Sequence, residues 1–141
     1  MKNLVIIVFA CAAILASGCS SLHKSDLANL QGAWAGKEIG GKMSDCHILV
    51  AGNNAEFRSS DTNEWLKATF SLREDTNPRQ IIFVTAESPY PPHIGITRYA
   101  IYRIEDDMVR LTANEPGVPN VPSAFDAPGA RQFELKILRC R

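Results

Sequence analysis

From residue 25 onward the chain reads as short apolar segments broken every few residues by turn formers. Ser25-Asp26 places a capping residue before Leu27, Ala28 and Leu30, which predicts a helix of one or two turns ended by Gly32. Beyond it the period changes to two. Strands are predicted over 32–39, 45–51, 55–59, 64–72, 80–86, 94–105, 108–113 and 130–138. In the fourth, Leu66, Ala68, Phe70 and Leu72 face one way, and Trp65, Lys67, Thr69 and Ser71 the other. In the eighth, Phe133, Leu135 and Ile137 alternate with Gln132, Glu134 and Lys136. The fifth is apolar and β-branched along its whole length.

Most of the breaks are tight. Gly40-Gly41, Gly52-Asn53-Asn54, Asp61-Thr62-Asn63 and Asp106-Asp107 are turn chemistry. Two are longer and rich in proline, 88–93 and 114–129. Proline gives no ladder hydrogen bond, so neither is a central strand. Eight consecutive strands with short connections predict an all-β antiparallel meander. Closure removes its two exposed edges, so the expected fold is an eight-stranded up-and-down barrel with a short N-terminal helical turn. A sandwich is the other fold this pattern allows. A barrel of eight strands is either filled by side chains or holds one small ligand.

The N-terminus has a different character. Met1-Lys2-Asn3 carries one positive charge, and 4–15 is apolar but short for a membrane span. Leu15-Ala16-Ser17-Gly18-Cys19 then resembles the lipobox of bacterial lipoproteins. That resemblance implies a signal peptide over 1–18, lipid attached to Cys19, and a lipidated linker and helical turn over 19–29, leaving 30–141 as the barrel domain. Two or more acyl chains, each adding about 0.8 kcal/mol per buried CH₂, anchor a protein stably. Ser20 stands where an Asp tends to retain such proteins at the inner membrane. The implied location is the cell envelope, anchored in the outer membrane and facing the periplasm.

The opening of the first strand, Leu30-Gln31-Gly32-Ala33-Trp34, resembles the Gly-x-Trp start of lipocalin-type (calycin-like) barrels, whose tryptophan plugs the closed end. The later stretches Asn77-Pro78-Arg79-Gln80-Ile81, Tyr99 to Asp107, Val109-Arg110-Leu111-Thr112 and the proline-rich loop reaching Phe125 follow in an order similar to an uncharacterised lipocalin-like bacterial domain known from planctomycetes. The resemblance spans 30–138. It implies a barrel and brings no activity with it.

Charge and cysteine content narrow the classes further. Fifteen basic residues balance fifteen acidic ones, and no basic run appears, so a nucleic-acid footprint is lacking. Of four cysteines, Cys11 lies in the signal segment and Cys19 in the lipobox. Cys46 and Cys140 are left, and two cysteines in an exported domain commonly pair. Closing so long a loop would contribute roughly 4–5 kcal/mol. The other possibility is two free thiols.

Catalytic motifs are missing: there is no nucleophile elbow, no His-Glu-x-x-His, no P-loop and no dinucleotide fingerprint. Neither an enzyme nor a cofactor is expected. Cys46, His47 and Cys140 suit zinc by type, but neighbours on a strand point to opposite faces, so no metal is expected either. Glu105-Asp106-Asp107 reads as a solvated turn rather than a carboxylate site.

Five residues remain as ligand- or partner-binding candidates. Trp34 is expected as plug. Trp65, opposite its strand's apolar face, is expected on the surface, as an interface anchor or an isolated aromatic. Tyr90, His93 and Phe125 sit on the two proline loops. Both loops follow odd-numbered strands and so fall at one end of the barrel, as lids, recognition surfaces or simple caps. Two functions follow. In one, the barrel holds a small apolar molecule against residues such as Leu66, Phe70, Ile82, Val84, Ile101 and Leu111. In the other, Phe57, Phe70, Phe83 and Phe133 fill a solid barrel, and its loops and surface bind a periplasmic protein, as an inhibitor or immunity protein would.

Overall fold

A computed structural model of the chain describes residues 24–41 and 45–139. The lipobox, Cys19, the preceding signal segment, His23 and Cys140 lie outside the described residues.

The helix comes first. Its five residues, α1 (Asp26–Leu30), are too few to stand alone. Ser25 caps it by accepting a hydrogen bond from the Ala28 amide. Eight strands follow: β1 (Gly32–Ile39), β2 (Cys46–Ala51), β3 (Asn54–Ser59), β4 (Trp65–Arg73), β5 (Arg79–Glu87), β6 (Thr97–Glu105), β7 (Met108–Ala113) and β8 (Arg131–Ile137). Each pairs antiparallel with the next, and β8 returns to pair with β1, closing the barrel. The expected up-and-down topology is therefore present, with no edge strand left over.

The ends of the barrel differ. At one end lie α1, the tight turns after β2 and β6, and the loop after β4. At the other lie the connections after β1, β3, β5 and β7. Across the seam, Gly36 on β1 pairs with Cys46 of β2 on one side and Leu135 of β8 on the other. A Cβ at Gly36 would overlap the Glu134 carbonyl oxygen, so only glycine lets β1 and β8 approach this closely.

α1 closes its end through a buried polar cluster. The Asp26 carboxylate is 5 % exposed. It accepts from Arg79 Nη1 at 2.8 and 2.7 Å and from the Tyr102 hydroxyl at 2.7 Å. The Asp26 amide donates to Glu74 Oε1 at 3.1 Å. The helix is thereby bonded to the loop after β4, to β5 and to β6. Burial, and next the hydrogen bond to Asp26, push the Tyr102 phenol well above its ordinary value. The folded protein thus keeps this proton where the unfolded chain loses it. The stability it contributes is complete below about pH 10, the ordinary tyrosine value, and is lost as pH rises above that. Urea midpoints from pH 9 to 11.5 are expected to fall more steeply for the native protein than for Tyr102→Phe. Near pH 7 the variant is expected to be less stable by about 1–3 kcal/mol, because Asp26 loses a donor. Parallel slopes would show that Tyr102 does not carry the alkaline loss.

Several sequence expectations need correction. Residues 94–96 are not strand, because Pro91–His93 forms a 3-10 turn and β6 starts only at Thr97. The bridge between Cys46 and Cys140 is not seen: Cys46 is a free thiol with no exposed surface. The loop over 114–129 does not stand over the barrel mouth. It folds back along the outer wall of β6 and β7, where Thr112 Oγ1 donates to the Phe125 carbonyl and Arg103 lies 5.3 Å over the Phe125 ring. Ile101 and Thr112, a cross-strand pair on that outer wall, are 0 % and 1 % exposed as a result. Asp106-Asp107 does form the exposed turn that was expected, with Asp106 at φ +51°.

Candidate functional site

The barrel is hollow. A cavity of about 330 Å³ runs inside it, within the size range of small-ligand sites. Alternation along each strand explains its walls. The inward set is Ile48 and Val50 on β2, Ala55 and Phe57 on β3, Leu66 and Phe70 on β4, with their counterparts on β5 to β8. The aromatics that could have filled the interior meet in pairs against the walls instead. Phe57 and Phe133 stand edge to face at 6.1 Å, and Phe70 and Phe83 are tilted against each other at 6.0 Å.

Trp34 makes the floor, as expected. It is 3 % exposed, and its indole Nε1 donates to the Leu30 carbonyl at 2.9 Å. That bond fixes the ring and also satisfies one of the helix-end carbonyls. Tyr102, which also lines the cavity, carries the wall down to the Asp26 cluster.

The opposite end is open and mixed in character. Trp65, Tyr90, His93 and Arg98 reach the cavity there, as does Arg131. Trp65 is half-buried at the rim and not the outward-facing residue expected, since it opens β4 just above a register shift at Lys67/Ala68. Tyr90 and His93 meet edge to face at 4.6 Å across the 3-10 turn, with Tyr90 exposed. The five candidates therefore separate. Trp34, Trp65, Tyr90 and His93 share one cavity, and Phe125 lies outside it, on the outer wall.

Other cavity residues also differ from expectation. Leu66, Phe70 and Leu111 line it, whereas Ile82, Val84 and Ile101 do not. On β5 the inward residues are Ile81, Phe83 and Thr85.

Two arginines near the mouth had no place in the sequence reading. Arg131 is held by Glu38, with Nε to Oε1 at 2.8 Å and Nη2 to Oε2 at 3.1 Å, and it lies 5.3 Å over Phe133. Its proton is bound more firmly than usual, first through the hydrogen bond to Glu38. Burial, and then the neighbouring Glu38 charge, raise the Cys46 thiol beside this pair. The Arg98 side chain has neither a hydrogen bond nor an ion pair within the described residues. Burial, and then the Arg131 charge, pull it below the ordinary arginine value, while Glu115 opposes them. The signal was present in the sequence as a charge in phase with an apolar face: Arg98 with Ala100 and Tyr102, and Arg131 with Phe133 and Leu135.

Within the described residues no group of three His, Cys, Asp or Glu side chains gathers to hold a metal ion. His47, beside the buried Cys46, is exposed, as strand alternation requires. No family model, no curated protein and no solved structure matches this chain.

Proposed function

We propose that the protein is a non-catalytic lipoprotein of the bacterial cell envelope, anchored through Cys19, that holds a small apolar molecule inside its barrel. The observation that carries this reading is the apolar cavity, closed at the helix end by Trp34 and open at the other. A barrel that acted only through its outer surface would have no use for an unfilled interior, since closer packing stabilises a core. The anchor rests on the lipobox resemblance, which also supports a periplasm-facing position in the outer membrane.

Native mass spectrometry of the protein released from membranes tests both parts. A covalent acyl mass should survive denaturation and vanish in Cys19→Ala. A second added mass should dissociate on denaturation. Ala113→Phe, which puts a ring into the cavity from β7, should abolish that second mass while leaving the far-UV spectrum unchanged. A clean mass, with no uptake of a fluorescent fatty acid by the native protein, would overturn the binding role.

A further inference from the structure

We infer that the cavity takes an anionic amphiphile, a long-chain carboxylate whose head is bound by Arg98 at the mouth and whose tail runs toward Trp34. This rests on the binding role proposed above and names the ligand class.

Three features of the site converge on it. The first is the state of Arg98. Its side chain is half-buried and lines a cavity whose walls are mostly aliphatic and aromatic, yet among the described residues it meets no carboxylate within ion-pair distance. A guanidinium taken from water into apolar surroundings costs free energy unless an anion compensates it. The neighbouring charges do not do so. Arg131 repels it and is already engaged by Glu38, and Glu115 acts on it only from a distance. Glu64 and His93 also reach the mouth without bonding to it.

The second feature is polarity along the barrel axis. Both arginines stand at the open end, and the floor is Leu30 and Trp34. A molecule with one charged end and one apolar end matches this gradient in a single orientation. A wholly apolar ligand would leave Arg98 uncompensated, and a wholly polar one would waste the walls. The third is chemical type. The planar guanidinium fork matches a carboxylate in bidentate fashion, and Arg131 adds positive potential without needing to release Glu38.

The test is a tryptophan-fluorescence titration of the purified, delipidated protein. Its two tryptophans, Trp34 and Trp65, both line the cavity and report on its filling. The probes are palmitate and hexadecanol, which share a chain and differ in head charge. The native protein should bind palmitate more tightly than hexadecanol. Arg98→Met, which keeps the length and removes the charge, should weaken palmitate about 10- to 100-fold and leave hexadecanol within about 2-fold. Arg98→Lys should fall between. Arg98→Gln guards against a packing effect of Met and should behave like it.

Equal weakening of both probes in Arg98→Met, or palmitate binding unchanged by it, would overturn the carboxylate assignment while leaving the apolar-ligand role standing. Failure of the native protein to bind either probe would overturn both.

Discussion

Gly36→Ala is expected to cost more than about 4 kcal/mol, an exceptional amount for adding one methyl group. The reason is local and steric. The new Cβ would overlap the Glu134 carbonyl oxygen and stand 2.8 Å from both the Glu134 carbonyl carbon and Leu135 Cα. All of these are backbone atoms of β8, so no rotamer change relieves the clash. β1 and β8 would have to separate along the seam that closes the barrel, breaking ladder bonds on both sides of Gly36. A domain whose total stability is about 5–15 kcal/mol has little reserve for that. Opening the seam would also expose two strand edges and the cavity, which favours edge-to-edge association. Urea unfolding should show a large drop in midpoint, and size-exclusion chromatography should show oligomers. Gly52→Ala is the informative comparison. Gly52 has φ +60° with nothing within 4 Å of its would-be Cβ, so its cost is conformational only, about 1 kcal/mol. Similar losses for the two variants would show that the seam tolerates more than its geometry suggests.

How much of this was legible in the sequence depends on what each strand faces. β4 and β8 have one face on the cavity and one toward solvent, so their alternation picked out Leu66, Phe70, Phe133 and Leu135 as inward, though it missed Trp65, which reaches the rim at the start of β4. β5 does not alternate. Ile81, Ile82, Phe83 and Val84 are all apolar, and nothing local says which pair points in. Ile82 and Val84 are the pair expected inside, and they are the outward pair. On β6 the difficulty is a covered outer wall. Ile101 is fully buried, as its chemistry demands, but beneath the 114–129 segment rather than inside the barrel. That segment reads as a mouth loop from its position after β7. Its return along β6 and β7 depends on contacts with residues distant in sequence, such as Arg103 with Phe125.

The floor was legible because it is local: Leu30 and Trp34 are four residues apart and share one hydrogen bond. The mouth was not. Arg98 and Arg131 belong to strands separated by β7, and although each charge is in phase with its strand's apolar face, nothing within one strand shows that the two meet at one opening once the barrel closes. Likewise Asp26, Arg79 and Tyr102 come from three elements and form one cluster only in the folded chain. The sequence shows periodicity within a segment, and the chemistry of this interior arises between segments.

Trp34→Ala is expected to destabilise the protein by about 3–5 kcal/mol, the range for removing a large buried aromatic. Three losses combine. The ring's packing against the barrel end disappears, the Leu30 carbonyl loses the indole donor that meets it at 2.9 Å, and the space vacated joins a cavity already near 330 Å³. One face of the indole already borders that cavity, so the loss of packing is one-sided and the lower part of the range is favoured. The second consequence is mechanical. α1 is five residues long and is held by its cap, by the Asp26 cluster, by the Gln31 side chain that joins Leu27 to Gly52, and by Leu27, Leu30 and Trp34 in the core, so removing the ring takes away one of few restraints on the lid of the closed end. Trp34→Phe separates the terms, since it keeps most of the volume and removes only the donor, and should cost about 1 kcal/mol. Urea midpoints give the ranking, with m-values unchanged if unfolding stays two-state. Dissociation of a bound fluorescent fatty acid should be faster in Trp34→Ala than in Trp34→Phe, because only the former opens the floor. If Trp34→Ala lost less than 1 kcal/mol and held its ligand as long as the native protein, the floor would have to be assigned to other residues, with Leu30 and Tyr102 the next in line.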